Sequence, residues 1–92
     1  MYPISIIWDL DDDPEGNVQH ISQHGIEVKE VEEVLLDPNS DLAVNRNDSG
    51  NKLTFGYTNA GRYLAVVWEH VDDNPLTVKP VTAYDAHEPR SR

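Results

Sequence analysis

The apolar residues of this chain recur at two different spacings, and the change between them limits the folds that the chain can adopt. Val28, Val31, Val34 and Leu35 recur at the spacing of one helical face. The Asp-Pro-Asn sequence at 37–39 then stops a helix. Beyond it the apolar spacing becomes two, which is typical of half-buried strands. The sequence therefore predicts helices followed by strands, as in α+β domains.

Boundary residues predict a short strand and two helices in the first part of the chain. Residues 5–8 have a β-branched and aromatic composition, which predicts the strand. Asp13 is expected to cap a first helix that starts at Pro14 and ends at Gly25 in a left-handed conformation. A second helix is predicted over Val28–Leu36.

The second part of the chain predicts a meander of three to four antiparallel strands, at residues 42–45, 52–57, 62–70 and 76–84. Turns are expected at 47–50 and 58–61, with Gly61 at positive φ. Pro80 within the last strand indicates an edge position or a bulge. We predict a single α+β domain over residues 1–92, with helices on one sheet face and a frayed tail at about 86–92.

The charge balance narrows the classes of partner. Seven basic and 17 acidic residues give a net charge of −10, which repels phosphate backbones and attracts basic proteins. The chain has no cysteine, so disulfides and thiolate metal sites are excluded. The N-terminal residues resemble neither a signal peptide nor a membrane span. We expect a cytoplasmic protein with no membrane partner.

Metal-binding patterns are incomplete. Asp9, Asp11 and Asp13 follow the start of a calcium-loop spacing that later positions do not continue, which favours an acidic helix-capping turn. His20 and His24 are four apart, as zinc ligands on one helical face can be, but no third ligand is indicated by spacing. We therefore expect no metal and no cofactor.

Basic side chains in the predicted sheet offer a different chemistry. Strict alternation along the last strand places Lys79 on the same face as Val81 and Ala83. A sheet face that holds cations beside Tyr63 or Tyr84 could stabilise a phosphate oxyanion and transfer protons during RNA cleavage. The alternative is that these cations are ordinary surface residues.

A series of short motifs also occurs in a fixed order along most of the chain. They are Trp8-Asp9, His24-Gly25-Ile26, residues 32–38, Phe55-Gly56-Tyr57, residues 61–67 and Val81-Thr82-Ala83. In this order they resemble the BrnT toxin family. The resemblance implies a RelE-like, metal-independent endoribonuclease of a type II toxin–antitoxin system. It also implies a basic ribbon-helix-helix antitoxin as partner, with DNA bound only through that partner.

Under this ribonuclease hypothesis, Arg62 and Lys79 are the candidate catalytic cations. His24 and Tyr84 are the histidine and tyrosine that would act beside them. RNA would be the substrate.

The chain departs from the family at positions where BrnT toxins carry cations. Gln23 stands in place of lysine, and Tyr84-Asp85 stands in place of Arg-Lys. Removing such groups removes stabilisation of the transition state. The alternative hypothesis is therefore a catalytically inactive relative that acts as an acidic protein-binding module. An unrelated small α+β protein with an unidentified ligand is a third.

Overall fold

The computed structural model describes residues 4–45 and 51–87, with side chains described outside residues 41–45. The predicted turn at 47–50 and the tail residues 88–92 lie outside this part. The elements are β1 (Ile4–Ile6), α1 (Asn17–Ser22), α2 (Val28–Leu36), β2 (Asp41–Asn45), β3 (Lys52–Tyr57), β4 (Tyr63–Asp73) and β5 (Leu76–Asp85). No helix in the described part is long and apolar enough to cross a bilayer.

The strands form one sheet in the order β1-β5-β4-β3-β2. Strands β2 to β5 make a four-stranded antiparallel meander, which confirms the predicted α+β class. The short strand β1 pairs with β5 in parallel, so the sheet is mixed. Both helices and strands β2 to β4 separate β1 from β5, and such long crossovers are what parallel pairing requires.

The core lies between one face of the sheet and the two helices, as predicted. Leu64 and Val66 of β4 are fully buried against Ile21 of α1 and against Val31 and Val34 of α2. The α2 boundaries match the predicted Val28–Leu36. The helical spacing of the apolar residues thus identified the surface that packs on the sheet.

The start of α1 differs from the prediction. The helix begins at Asn17 with Gly16 as its N-cap, and Pro14 precedes it. The Asp13 carboxylate accepts a hydrogen bond from the Glu15 N–H at 3.0 Å and so stabilises a turn before the helix. Gly16 is required because a Cβ there would lie 2.7 Å from Cβ of Asp9. Gly25 has a φ of 72°, which confirms the predicted left-handed residue.

The Asn17 side chain joins α1 to two strands of the sheet. Its Nδ2 donates to the carbonyl oxygens of Ile7 at 3.0 Å and Pro80 at 2.9 Å, and its Oδ1 accepts from the Asp9 N–H at 2.9 Å. Asn17 is 3% exposed. It therefore satisfies backbone groups that would otherwise be buried without partners where β1 ends.

A bulge at Val81 changes the alternation of β5. Thr82 pairs with Val67 but Pro80 pairs with Trp68, so Val81 has no position opposite it. The predicted bulge is confirmed, whereas the edge position is wrong because β5 lies between β1 and β4.

The same bulge overturns the predicted face of Lys79. Val78 and Ala83 both belong to the core, although strict alternation would place them on opposite faces. Lys79 and Ala83 therefore do not share a face.

We expect Asn17→Ala to lower the free energy of unfolding by about 2–3 kcal/mol, because it leaves buried backbone groups without partners. Urea denaturation followed by tryptophan fluorescence measures this loss. Asn59→Ala is the matched control, since Asn59 is exposed and should shift stability by less than about 0.5 kcal/mol. Equal losses in the two variants would contradict the role assigned to Asn17.

Candidate functional site

The turn between β3 and β4 sets the direction of the Arg62 side chain. The Thr58 N–H donates to the Arg62 carbonyl at 2.8 Å, and the Arg62 N–H donates to Thr58 Oγ1 at 3.0 Å. Gly61 has the predicted positive φ, at 90°. This closed turn presents Arg62 to the segment that connects the two helices.

The Arg62 guanidinium is surrounded by acceptors of the protein itself. Nε and Nη2 form a bidentate pair with the Asp85 carboxylate, at 2.6 and 2.8 Å. Nη1 donates to the Gly25 carbonyl at 2.9 Å and to Glu30 Oε1 at 3.2 Å. Nη2 also approaches the His24 carbonyl at 3.5 Å. A phosphate could reach these donors only by displacing a carboxylate.

The two charges of this pair stabilise each other. The hydrogen bond to Asp85 raises the pKa of Arg62 above its ordinary range. The same bond holds the pKa of Asp85 below its ordinary value. Both groups are therefore charged at neutral pH, and the pair joins the end of β5 to the β3–β4 turn.

The structure brings two of the four predicted site residues together. Arg62 contacts the backbone of His24, whose side chain is close enough to Asp85 to contribute to its lowered pKa. Tyr84 pairs with Ala65, whereas Asp85 pairs with Leu64 of the core. Adjacent strand residues point to opposite faces, so Tyr84 faces away from Arg62.

The fourth residue, Lys79, lies in a separate polar cluster. Its Nζ is 3.4 Å from Asp9 Oδ1, and its cross-strand partner is Glu69. His20 and Glu15 line the same small cavity of about 190 Å³. The pKa of Asp9 is lowered, chiefly by the hydrogen bond from Asn17 and then by Lys79.

No group of three or more histidine or carboxylate side chains in residues 4–45 and 51–87 is arranged to hold a metal ion. Because α1 ends at Ser22, His24 lies beyond the helix. His20 and His24 therefore do not share the helical face that their spacing suggested.

Aromatic rings cluster on strands β3 and β4. Phe55 and Tyr63 stack with centroids 6.1 Å apart and ring planes inclined by 14°. Tyr57 meets Tyr63 at 4.7 Å, tilted by 51°. Tyr63, one of the two tyrosines that could have lain beside the cations, thus belongs to an aromatic cluster on β3 and β4.

An apolar groove of about 410 Å³ lies on the helix side of the sheet. It lies beside the C-terminal end of α2, where the helix no longer covers the strands. Its apolar lining comprises Ile4, Leu35, Leu36, Trp68, Leu76 and Val78. The sequence did not indicate this groove, which forms between the end of α2 and strands that are distant in sequence.

The partners of the predicted cations were also missed. Asp85 and Glu30 close around Arg62, and Asp9 pairs with Lys79. One signal was present in the sequence, because residue 85 is an aspartate where the suggested resemblance led us to expect a cation. A carboxylate at that position can form an ion pair with a neighbouring cation, whereas a cation there would add a second positive charge to the same site.

No protein-family model matches the chain, and no curated protein matches it. The geometry of the described residues therefore carries the functional argument.

Replacing Arg62 should release the Asp85 carboxyl. A depressed pKa stabilises the fold above the ordinary value of 3.8, and this contribution is lost as pH falls through the folded-state pKa. We expect Arg62→Gln to raise the pKa of Asp85 toward 3.8, as measured by carboxyl ¹³C shifts against pH.

Lys29→Gln is the control for this titration. Lys29 is 79% exposed and pairs with Glu33 at 4.0 Å, away from Asp85. It removes the same charge and should leave the Asp85 pKa unchanged. An Asp85 pKa that is equal in wild type and Arg62→Gln would contradict the assigned pair.

Proposed function

We propose that this chain is a catalytically inactive relative of the BrnT toxins that acts as an acidic protein-binding module. Its proposed partner is a basic protein of the ribbon-helix-helix antitoxin type. The observation that carries the proposal is the bidentate pairing of Arg62 with Asp85, together with its contacts to Glu30 and Gly25. The main candidate cation for catalysis is used within the fold.

The separation of the other candidate residues supports the same conclusion. Metal-independent RNA cleavage needs donors that converge on the developing phosphate charge and groups that transfer protons. Lys79 is held by Asp9 in another cluster, and Tyr84 faces away from Arg62. Arg62, Lys79, Tyr84 and His24 therefore do not surround a common reacting atom.

Net charge favours a basic polypeptide over RNA as the binding partner. At −10 the chain repels a phosphate backbone at long range. A basic partner would approach faster and would be released by salt, which screens the attraction. DNA would be contacted only through that partner.

A second candidate is the endoribonuclease that the family resemblance implies. The adjacency of Arg62 and His24 favours it. For this activity, RNA would have to displace Asp85 from the guanidinium, and the His24 imidazole would serve as the proton-transfer group.

Expression of the chain in a bacterial host without a partner distinguishes the two candidates. The binding-module proposal predicts normal growth and intact cellular RNA, and the Arg62→Gln variant should behave in the same way. Growth arrest with RNA cleavage, relieved by Arg62→Gln, would contradict the proposal and support the ribonuclease.

The binding half of the proposal is tested with the immobilised chain and extract from its source. A basic protein retained at low salt and eluted as salt rises is expected. Retention that is insensitive to salt, or no retained protein at any salt, counts against a charge-driven module.

A further inference from the structure

We infer that the apolar groove beside the end of α2 receives a large apolar side chain of a basic partner segment. This inference rests on the proposed binding function and locates the partner-binding surface at this groove. Trp68, Val78 and Leu76 form part of the lining, and Leu36 at the end of α2 is 48% exposed.

The groove has the size and chemistry of a built binding site. Its volume of about 410 Å³ falls in the range of roughly 300–1,000 Å³ that is usual for ligand pockets. Its polar groups are largely engaged within the chain. Ser40 Oγ donates to the Val34 carbonyl at 2.6 Å, and Trp68 Nε1 donates to Thr54 Oγ1 at 2.9 Å. The lining thus offers apolar surface, which an apolar side chain fills.

We call the apolar side chain that enters the groove the anchor. The charges around the groove determine which partner residues are favoured beside this anchor. Asp37 lines it at the C-terminal end of α2, and the last turn of that helix carries no basic residue. Helix C-termini carry partial negative charge and favour cations.

The β4–β5 turn adds negative charge on another side. Asp73 and Asp72 are the exposed cross-strand partners of Leu76 and Thr77. One lysine, Lys52, pairs with Trp68 on the β3 side, but no lysine or arginine among the described residues lines the groove itself. A lysine or arginine of the partner beside the anchor would therefore lie close to acidic side chains on the α2 and β4–β5 sides of the groove.

The test uses the full chain labelled with ¹⁵N and two peptides of lysine and glycine. One peptide has a central phenylalanine and the other has alanine in its place. Trp68 and Trp8 provide the readout, because Trp68 lines the groove whereas the Trp8 indole is bonded to Glu32 at 3.0 Å.

We expect the phenylalanine peptide to shift the Trp68 indole resonance and to leave that of Trp8 in place. It should bind about tenfold more tightly than the alanine peptide, as for an anchor residue worth about 1.4 kcal/mol. Leu36→Ser should remove most of this preference, and Asp37→Asn should weaken both peptides.

Matched variants lie outside the groove. Leu10 is 76% exposed, so Leu10→Ser makes the same chemical change as Leu36→Ser on another surface. Asp12→Asn likewise matches the charge change of Asp37→Asn at an exposed position. Both controls should bind the peptides as the unaltered chain does.

The remaining outcomes overturn the inference in distinguishable ways. Equal binding of both peptides with an unmoved Trp68 would leave charge-driven binding standing and remove the groove from it. Binding of neither peptide would contradict the proposed function as well. A Trp68 shift that grows with protein concentration alone would assign the groove to a second copy. Anchor binding that requires deletion of residues 1–3 would mean that those residues fill it.

Discussion

The bidentate contact between Arg62 and Asp85 joins parts of the chain that are distant in sequence. It connects the β3–β4 turn to the end of β5, and the same guanidinium reaches Glu30 of α2 and the carbonyl of Gly25. One planar side chain thereby fixes the helix connection against two strands. Arginine suits this role because its donors are rigid and match carboxylates in pairs.

The pairing of cations with carboxylates within the fold affects the charge that the surface presents. Lys79 is held by Asp9, whereas Lys29 is exposed and pairs with Glu33 only at 4.0 Å. With seven basic residues against 17 acidic ones, acidic charge remains in excess whatever the pairing. The surface field is therefore negative. Under the proposed function, this distribution would attract a basic polypeptide, and the apolar groove would supply the selective contact that charge alone does not give.

The sequence predicted the features that depend on local patterns. The bounds of α2, the strand β3 and the positive φ of Gly25 and Gly61 follow from spacing and turn chemistry. The start of α1 was mispredicted because Asn17 and Gly16 satisfy tertiary contacts that local capping rules do not contain.

The candidate site was harder to predict than the fold, because it depends on register. The bulge at Val81 changed which residues of β5 share a face, and no spacing rule indicates where a bulge falls. The sequence identified Arg62 as the principal cation but not Asp85 as its partner, since pairing across 23 positions is set by the sheet. The groove at the end of α2 likewise appears only when the length of the helix is compared with that of the strands below it.

We propose that the Arg62 guanidinium belongs to the fold and does not bind RNA. The most direct measurement is a titration of the ¹⁵N-labelled chain with single-stranded RNA, followed through the Arg62 Nε–H resonance. Because the Arg62 Nε–H donates to Asp85 Oδ1 at 2.6 Å, we predict that its resonance does not shift as RNA is added. A saturable shift of Arg62 Nε–H, with the pKa of Asp85 rising as its partner is taken away, would contradict it.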